Sequence, residues 1–312
     1  MTLIISNDKF GKFREYLEKN GYAFEDRPYQ QFLAKRAGFV VNLYTNGKIV
    51  FGGNNQTERT LVEQYLNSLQ VSNIIKPIKE YPPIEVSGTR IGTDEVGKGD
   101  YFGPLIIGGV LATESQCKIL QSLGVRDSKD VSDTAIDNLA LEIRRVLNPN
   151  QRKTLPIGPA AYNRLHKQMK SVNRILGWGH ARVIEDLLAS NPTCETAVAD
   201  QFGDESYIKS ALMKKGRTIN LIQTHKGERE ISIAAASILA RLEFIYQMRQ
   251  MSLKYKLEFP KGATNVIPTA DEFVKTYGGL ELINVAKVDF ITTRKISNLT
   301  SADLQALASK RN

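Results

Sequence analysis

Cysteine is scarce in this 312-residue chain, where Cys117 and Cys194 stand far apart and outside any C-x-x-C pair. That spacing speaks against a disulfide framework or a thiolate zinc site and agrees with reduced thiols. Histidine is equally sparse, and His166, His180 and His225 read as structural, the common fate of isolated histidines. No apolar run approaches the ~18 residues of a membrane span, and the opening MTLIISNDKFGKF turns polar after a short apolar stretch. The expectation is a cytoplasmic monomer with no membrane partner. Acids are outnumbered, 33 Asp and Glu against 42 Lys and Arg, for a formal charge of +9. That excess favours a polyanionic partner.

The chain is longer than most single domains, so a large core with a smaller accessory domain is expected. Phe10, Phe13 and Leu17 recur at helical spacing, with Ser6 as an N-cap and Gly21 to end the helix. A strand over 29–36 follows, then FVVNLYTNGKIVF, whose Asn46-Gly47 between two β-rich runs marks a tight hairpin. Leu61, Val62, Tyr65, Leu66 and Leu69 give a second helix from about Thr57. Residues 1–70 therefore form a small α+β unit. Its Lys35, Arg36 and Lys48 lie beside Phe32, Phe39 and Tyr44, a mixture that suits either a sheet face on a nucleic-acid backbone or an ordinary core. Residues 71–88, interrupted by Pro77, Pro82 and Pro83, read as a linker.

From residue 89 strands open as a hairpin and later alternate with helices, which indicates an α/β domain with a mixed sheet and flanking helices over 89–312. Gly177 and Gly179 around Trp178 suggest that the helical stretch from Pro159 to Ser190 breaks there. Three apolar strands end in acids: Asp94 and Glu95 close TRIGTDE, Asp200 closes TAVAD, and Glu228 follows INLIQTHKG. Acids at strand ends can meet at one sheet edge, where their repulsion is tolerable once divalent cations neutralise it. An oxygen-rich site favours Mg²⁺ or Mn²⁺ over zinc, and two such ions suit phosphodiester hydrolysis.

Gly92 to Lys98 also has the G-x-x-x-x-G-K spacing of a phosphate loop, but Gly99 stands where a hydroxyl would bind Mg²⁺ and two carboxylates stand where phosphates would sit. The same glycines serve better as a close-approach turn. Without Cβ atoms, the peptide groups at Gly97 and Gly99 can reach a ribose 2′-hydroxyl and so separate RNA from DNA without reading bases.

These residues resemble a known family. GTDEVGKGDYFGPL is similar to the opening motif of bacterial ribonuclease HIII, a type 2 ribonuclease H, and RDSK at 126–129, AYNRLHKQMKSVNRILGWGHA at 161–181, ADQF at 199–202, THKGE at 224–228, AAASILAR at 234–241 and PKGA at 260–263 follow in family order. The resemblance implies a ribonuclease H-like catalytic domain and an N-terminal domain similar to a TATA-binding-protein repeat that grips an RNA–DNA hybrid. It implies an endonuclease that cuts the RNA strand of the hybrid without sequence preference, leaving 5′-phosphate and 3′-hydroxyl ends. Asp94, Glu95, Asp200 and Glu228 would be the catalytic acids holding two Mg²⁺ or Mn²⁺ ions. Gly97, Lys98 and Gly99 match the turn that contacts ribose, while Ser128, Lys129 and Ser237 fall in blocks lining the substrate groove. The segment after Glu228 is about one residue shorter than the family pattern, so Glu230 competes for the fourth position. Asp289 stands where a histidine is expected and receives no role. A non-catalytic hybrid-binding protein is the alternative.

Overall fold

The computed structural model of the chain describes residues 3–26, 30–53, 55–69, 86–126, 131–225 and 227–309, and only the backbone of Ile4, Thr134 and Glu228. The chain divides into two compact units, Met1–Pro82 and Pro83–Asn312. Most of the expected linker, residues 71–85, lies outside the described residues.

In the first unit, β1 (Leu3–Ile4), α1 (Phe10–Lys19), β2 (Ala23–Glu25), β3 (Gln30–Arg36), β4 (Phe39–Tyr44), β5 (Lys48–Gly53) and α2 (Gln56–Ser68) follow in order. The strands form an antiparallel sheet ordered β1-β5-β4-β3-β2. The Asn46-Gly47 hairpin joins β4 to β5, and Gly47 takes the positive φ of 81° that the turn needs. Ser6 precedes a short 3₁₀ turn over Asn7–Lys9 and makes no side-chain cap there. Asn55 caps α2, its side chain accepting from the Glu58 amide. Of the aromatics noted in the sequence, Phe32 and Phe39 are buried with Phe13, Leu17, Val62 and Leu66, so those two are core. Tyr44 is half-buried.

The second unit begins with β6 (Arg90–Val96) and β7 (Leu105–Ala112), followed by α3 (Glu114–Ser122), α4 (Asp133–Val146) and β8 (Arg152–Ile157). Then come α5 (Pro159–Met169), α6 (Val172–Ser190), β9 (Thr196–Asp200), the short α7 (Ser206–Lys209) and β10 (Asn220–Thr224). The long α8 (Ile231–Tyr255), α9 (Ile267–Tyr277) and α10 (Ser301–Ser309) complete it. The sheet runs β10-β9-β6-β7-β8, with β10, β9 and β6 parallel and β7 antiparallel to both neighbours. It is the mixed sheet expected. Alternation along the strands sends Ile91 and Ile107 to the α6 face, where they meet Val183, Ile184 and Leu187. Val110 turns to the opposite face, against Ala234, Ala235 and Ala236 of α8. In length and composition α8 is able to cross a membrane, contrary to the reading that no segment approaches this, but 67% of its most apolar window is buried in the core.

The expected break at Gly177 and Gly179 falls instead at Lys170–Ser171, and α6 runs straight through both glycines. Each glycine costs a helix about 1 kcal/mol. Burial of Ile175, Leu176, Val183, Ile184 and Leu187 on this helix is worth about 1.5–3 kcal/mol per side chain and outweighs that cost. The glycines are packing residues, since a Cβ at Gly177 would stand 2.3 Å from the Tyr207 carbonyl oxygen and one at Gly179 would stand 2.8 Å from Ile107.

Candidate active site

The parallel pairing of β6 with β9 ends in register at Thr93 opposite Ala199, which sets Asp94 beside Asp200 at the next step. Past β10 the chain turns back, and the Gly227 amide donates to Asp200 Oδ1 at 2.8 Å. Asp94 and Glu95 are adjacent in sequence and so point to opposite faces of β6. Asp94 points to the α8 face, where Ser237 hydrogen-bonds its carboxylate. It also accepts the Glu95 amide at 2.8 Å. Glu95 points to the α6 face, with Oε2 3.2 Å from His180 Nε2 and Oε1 3.7 Å from Lys98 Nζ.

The electrostatics of the two acids differ accordingly. Burial, and then the charges of Glu95 and Asp200, hold the Asp94 carboxyl well above the usual aspartate range. Burial also pushes Glu95 upward, but the hydrogen bond from His180 and the charges of His180 and Lys98 outweigh it and leave Glu95 below its ordinary value.

His180 was not separable from a structural histidine in the sequence. It is fully buried, as such a residue is, but both ring nitrogens are engaged: Nδ1 lies 2.8 Å from Thr93 Oγ1 while Nε2 faces Glu95. Its ring also stacks on Phe202, with centroids 5.0 Å apart. A His180→Ala variant is expected to lower divalent-metal affinity about 10–100-fold, the usual effect of removing a group that orients a ligating acid. Mn²⁺ titration followed by calorimetry measures this, and unchanged affinity would return His180 to a purely structural role.

These groups border a cavity of about 510 Å³ that holds Asp94, Glu95, Asp200, Ser237 and the Gly97-Lys98-Gly99 turn on its walls. The turn joins two antiparallel strands and opens no helix, which removes the phosphate-loop reading. Gly97 has φ 93°, and a Cβ there would stand 2.2 Å from the Pro104 carbonyl oxygen, so the turn itself requires glycine. Nothing lies within 4 Å of a Cβ built on Gly99. Lys98 Nζ sits 5.6 Å from the Phe202 ring centroid.

Asp100, Arg241, Phe244 and Lys261 also line the cavity, and the sequence reading singles out none of them. Arg241 had a signal, standing one helical turn beyond Ser237 within the AAASILAR block, and Lys261 lies in PKGA. Both cations are tethered by Asp133, at 2.7 and 2.6 Å. Ser128 and Lys129 lie outside the described residues, as does the Glu228 side chain.

Glu230 is committed elsewhere. It caps α8 through the Ile233 amide, accepts from Ser232, and forms a buried ion pair with Arg90 at 2.7 Å. Asp289 faces α5, 3.3 Å from His166 Nε2 and 3.4 Å from the Tyr162 hydroxyl.

Among the described residues, which leave out the Glu228 side chain, no group of three or more Asp, Glu, His or Cys side chains is by itself arranged to hold a metal ion. What the site offers is an all-oxygen donor set, Asp94, Glu95 and Asp200, open to a cavity and destabilised by its own repulsion. That combination fits a hard divalent cation.

The sequence model of the Ribonuclease HII family matches residues 91–293. The chain is 37% identical over 285 residues to the Ribonuclease HIII of Protochlamydia amoebophila (strain UWE25), covering 90% of this chain and 91% of that protein. It is 34% identical over 304 residues to the Ribonuclease HIII of Chlamydia muridarum (strain MoPn / Nigg), covering 95% and 97%. Among solved structures it is similar to Bst-RNase HIII in complex with Mn²⁺, with a TM-score of 0.63 and 26% identity over 95% of this chain and 98% of that one.

Proposed function

Since the chain belongs to the ribonuclease HII family, in its ribonuclease HIII branch, and is a ribonuclease H endonuclease, we propose that it hydrolyses the RNA strand of RNA–DNA hybrids without sequence preference. The products are 5′-phosphate and 3′-hydroxyl ends. The observation that carries this reading is the meeting of Asp94, Glu95 and Asp200 at one cavity, with the Asp94 carboxyl pushed far above its ordinary range. Family membership sets aside the non-catalytic alternative.

Asp94, Glu95, Asp200 and Glu228 would hold two Mg²⁺ or Mn²⁺ ions. Bound divalent ions supply the positive charge that offsets the carboxylates and stabilises the attacking and departing oxygens of a phosphodiester. The protein supplies the positioning. Ser237 fixes the Asp94 carboxylate, His180 and Lys98 fix Glu95, and the Gly227 amide fixes Asp200. Arg241 and Lys261 set fixed positive charge on the cavity wall, where substrate phosphates would lie. The Gly97–Gly99 turn presents backbone groups to a ribose hydroxyl. In the N-terminal unit, Gln30, Asn42 and Tyr44 lie together on the less buried face of the sheet, a polar surface suited to the hybrid.

The deciding experiment incubates end-labelled RNA–DNA hybrid, duplex DNA and duplex RNA with Mn²⁺, Mg²⁺ or chelator. Cleavage is expected of hybrid RNA alone, only with metal, at many positions, and with 3′ ends that a polymerase extends. Cleavage in chelator, or equal cleavage of duplex DNA, would overturn the reading.

A further inference from the structure

Lys287 is fully buried, which is rare for lysine and unexplained by any ion pair among the described residues. Its Nζ donates to the Asp100 and Gly103 carbonyl oxygens, both at 2.8 Å. Its own amide donates to the Tyr101 carbonyl at 2.8 Å, and next to it the Gly103 amide donates to the Val285 carbonyl at 2.8 Å. The side chain therefore ties together two carbonyls three residues apart in the segment that continues directly from the Gly97-Lys98-Gly99 turn. Asp100, the first of them, lies on the cavity wall beside Gly99.

We propose that Lys287 is a positioning residue that pins the turn from Gly97 to Gly103 and so sets the enzyme's preference for a ribose in the strand it cuts. This rests on the proposed hybrid-cleaving function, in which that turn meets the ribose hydroxyl. A buried carbonyl left without a donor is costly, so Nζ, by satisfying both acceptors, adds to the backbone bonds that Tyr101 and Gly103 make in holding the segment between Asp100 and Gly103. Burial holds the lysine far below its ordinary value, at about 7, although the charges of Asp100 and Asp289 act in the other direction. The neutral amine keeps two N–H groups, one for each carbonyl, so the arrangement does not need the charge. Lys287 touches none of the acids assigned to metal, and its effect is separable from theirs.

The test compares Lys287→Met, which loses every donor, with Lys287→Gln, which keeps two donors, the two arms being equal in length and one atom shorter than lysine. Hydrogen exchange of the amides from Gly99 to Gly103 reports on the turn itself. The ratio of hybrid to duplex-DNA affinity, measured without metal, reports on ribose preference, and Mn²⁺ titration reports on the acids. Exchange is expected to rise in the order wild type, Gln, Met. The affinity ratio falls in the same order, and cleavage by the Met variant drops on the order of 10²-fold, the cost of misplacing a positioning element by about 1 Å. Mn²⁺ affinity stays within twofold of wild type. Wild-type exchange and affinity ratio in either folded variant would overturn the proposal, as would a matching loss of Mn²⁺ affinity. Should the Met variant fail to fold, the Gln variant decides alone on the same readouts. If the wild-type protein itself shows no preference for hybrid, the proposed function fails, while turn exchange still decides whether Lys287 pins the segment.

Discussion

Asp94→Asn is expected to lower hybrid cleavage on the order of 10³-fold or more, because positioned metal charge supplies several kcal/mol of transition-state stabilisation and this carboxylate stands between two others. Hybrid binding should stay largely intact. The asparagine oxygen can still accept the Glu95 amide and the Ser237 hydroxyl, so local geometry has little reason to change. In chelator the variant should be at least as stable as wild type, since it removes a buried charge held against Glu95 and Asp200. The pH dependence follows from the direction of the shift. With its folded value raised, Asp94 binds more protons in the native than in the unfolded protein above the ordinary aspartate range, so its contribution to stability falls as pH rises through that window. The variant should lose this component of the slope. Single-turnover cleavage, gel-shift binding and thermal melts in chelator measure the three effects, and full cleavage by the variant would remove Asp94 from the mechanism.

Glu230→Ala should act on stability and leave the chemistry alone. Removing one member of a buried ion pair typically costs about 3–5 kcal/mol, because the partner charge stays buried. Arg90 retains Glu114 at 2.7 Å and the Gly88 carbonyl at 2.9 Å, so the lower end of that range is expected. The α8 N-cap is lost as well, worth typically about 1 kcal/mol. Denaturant unfolding measures the loss, and the folded fraction should bind Mn²⁺ as wild type does. Glu228→Gln is the contrast, with cleavage lost and stability nearly unchanged. The reverse pattern would give the fourth acid's role to Glu230.

Much of the site was legible because strand ends are local. An apolar run closing in an acid announces both the strand and the edge where the acid emerges, which is how Asp94, Glu95 and Asp200 stood out. The Asn46-Gly47 turn was legible for the same reason. His180 was not, because its role depends on which face of β6 Glu95 occupies and on how closely α6 approaches the sheet at Gly179 and Ile107. Neither is encoded near residue 180. The misplaced break in α6 has a related origin, since glycine reads as a helix breaker until the neighbour that needs its missing Cβ is known. Glu228 and Glu230 could not be ranked from spacing, because what commits Glu230 is Arg90, 140 residues away in sequence.

Because β6 delivers neighbouring acids to opposite faces, a slip of one residue in its pairing would present Glu95 to Ser237 and Asp94 to His180. The two carboxylates would then trade escorts, and their reach would be wrong on both sides. Gly92, pressed against the Ser232 backbone, and Gly108, pressed against the Ala236 carbonyl, leave no room for a Cβ on the α8 face. Any shift that brought a larger residue into either place would meet α8 first. These two bare positions act as a key cut to a single alignment, and they guard the spacing of Asp94 and Glu95 without touching them.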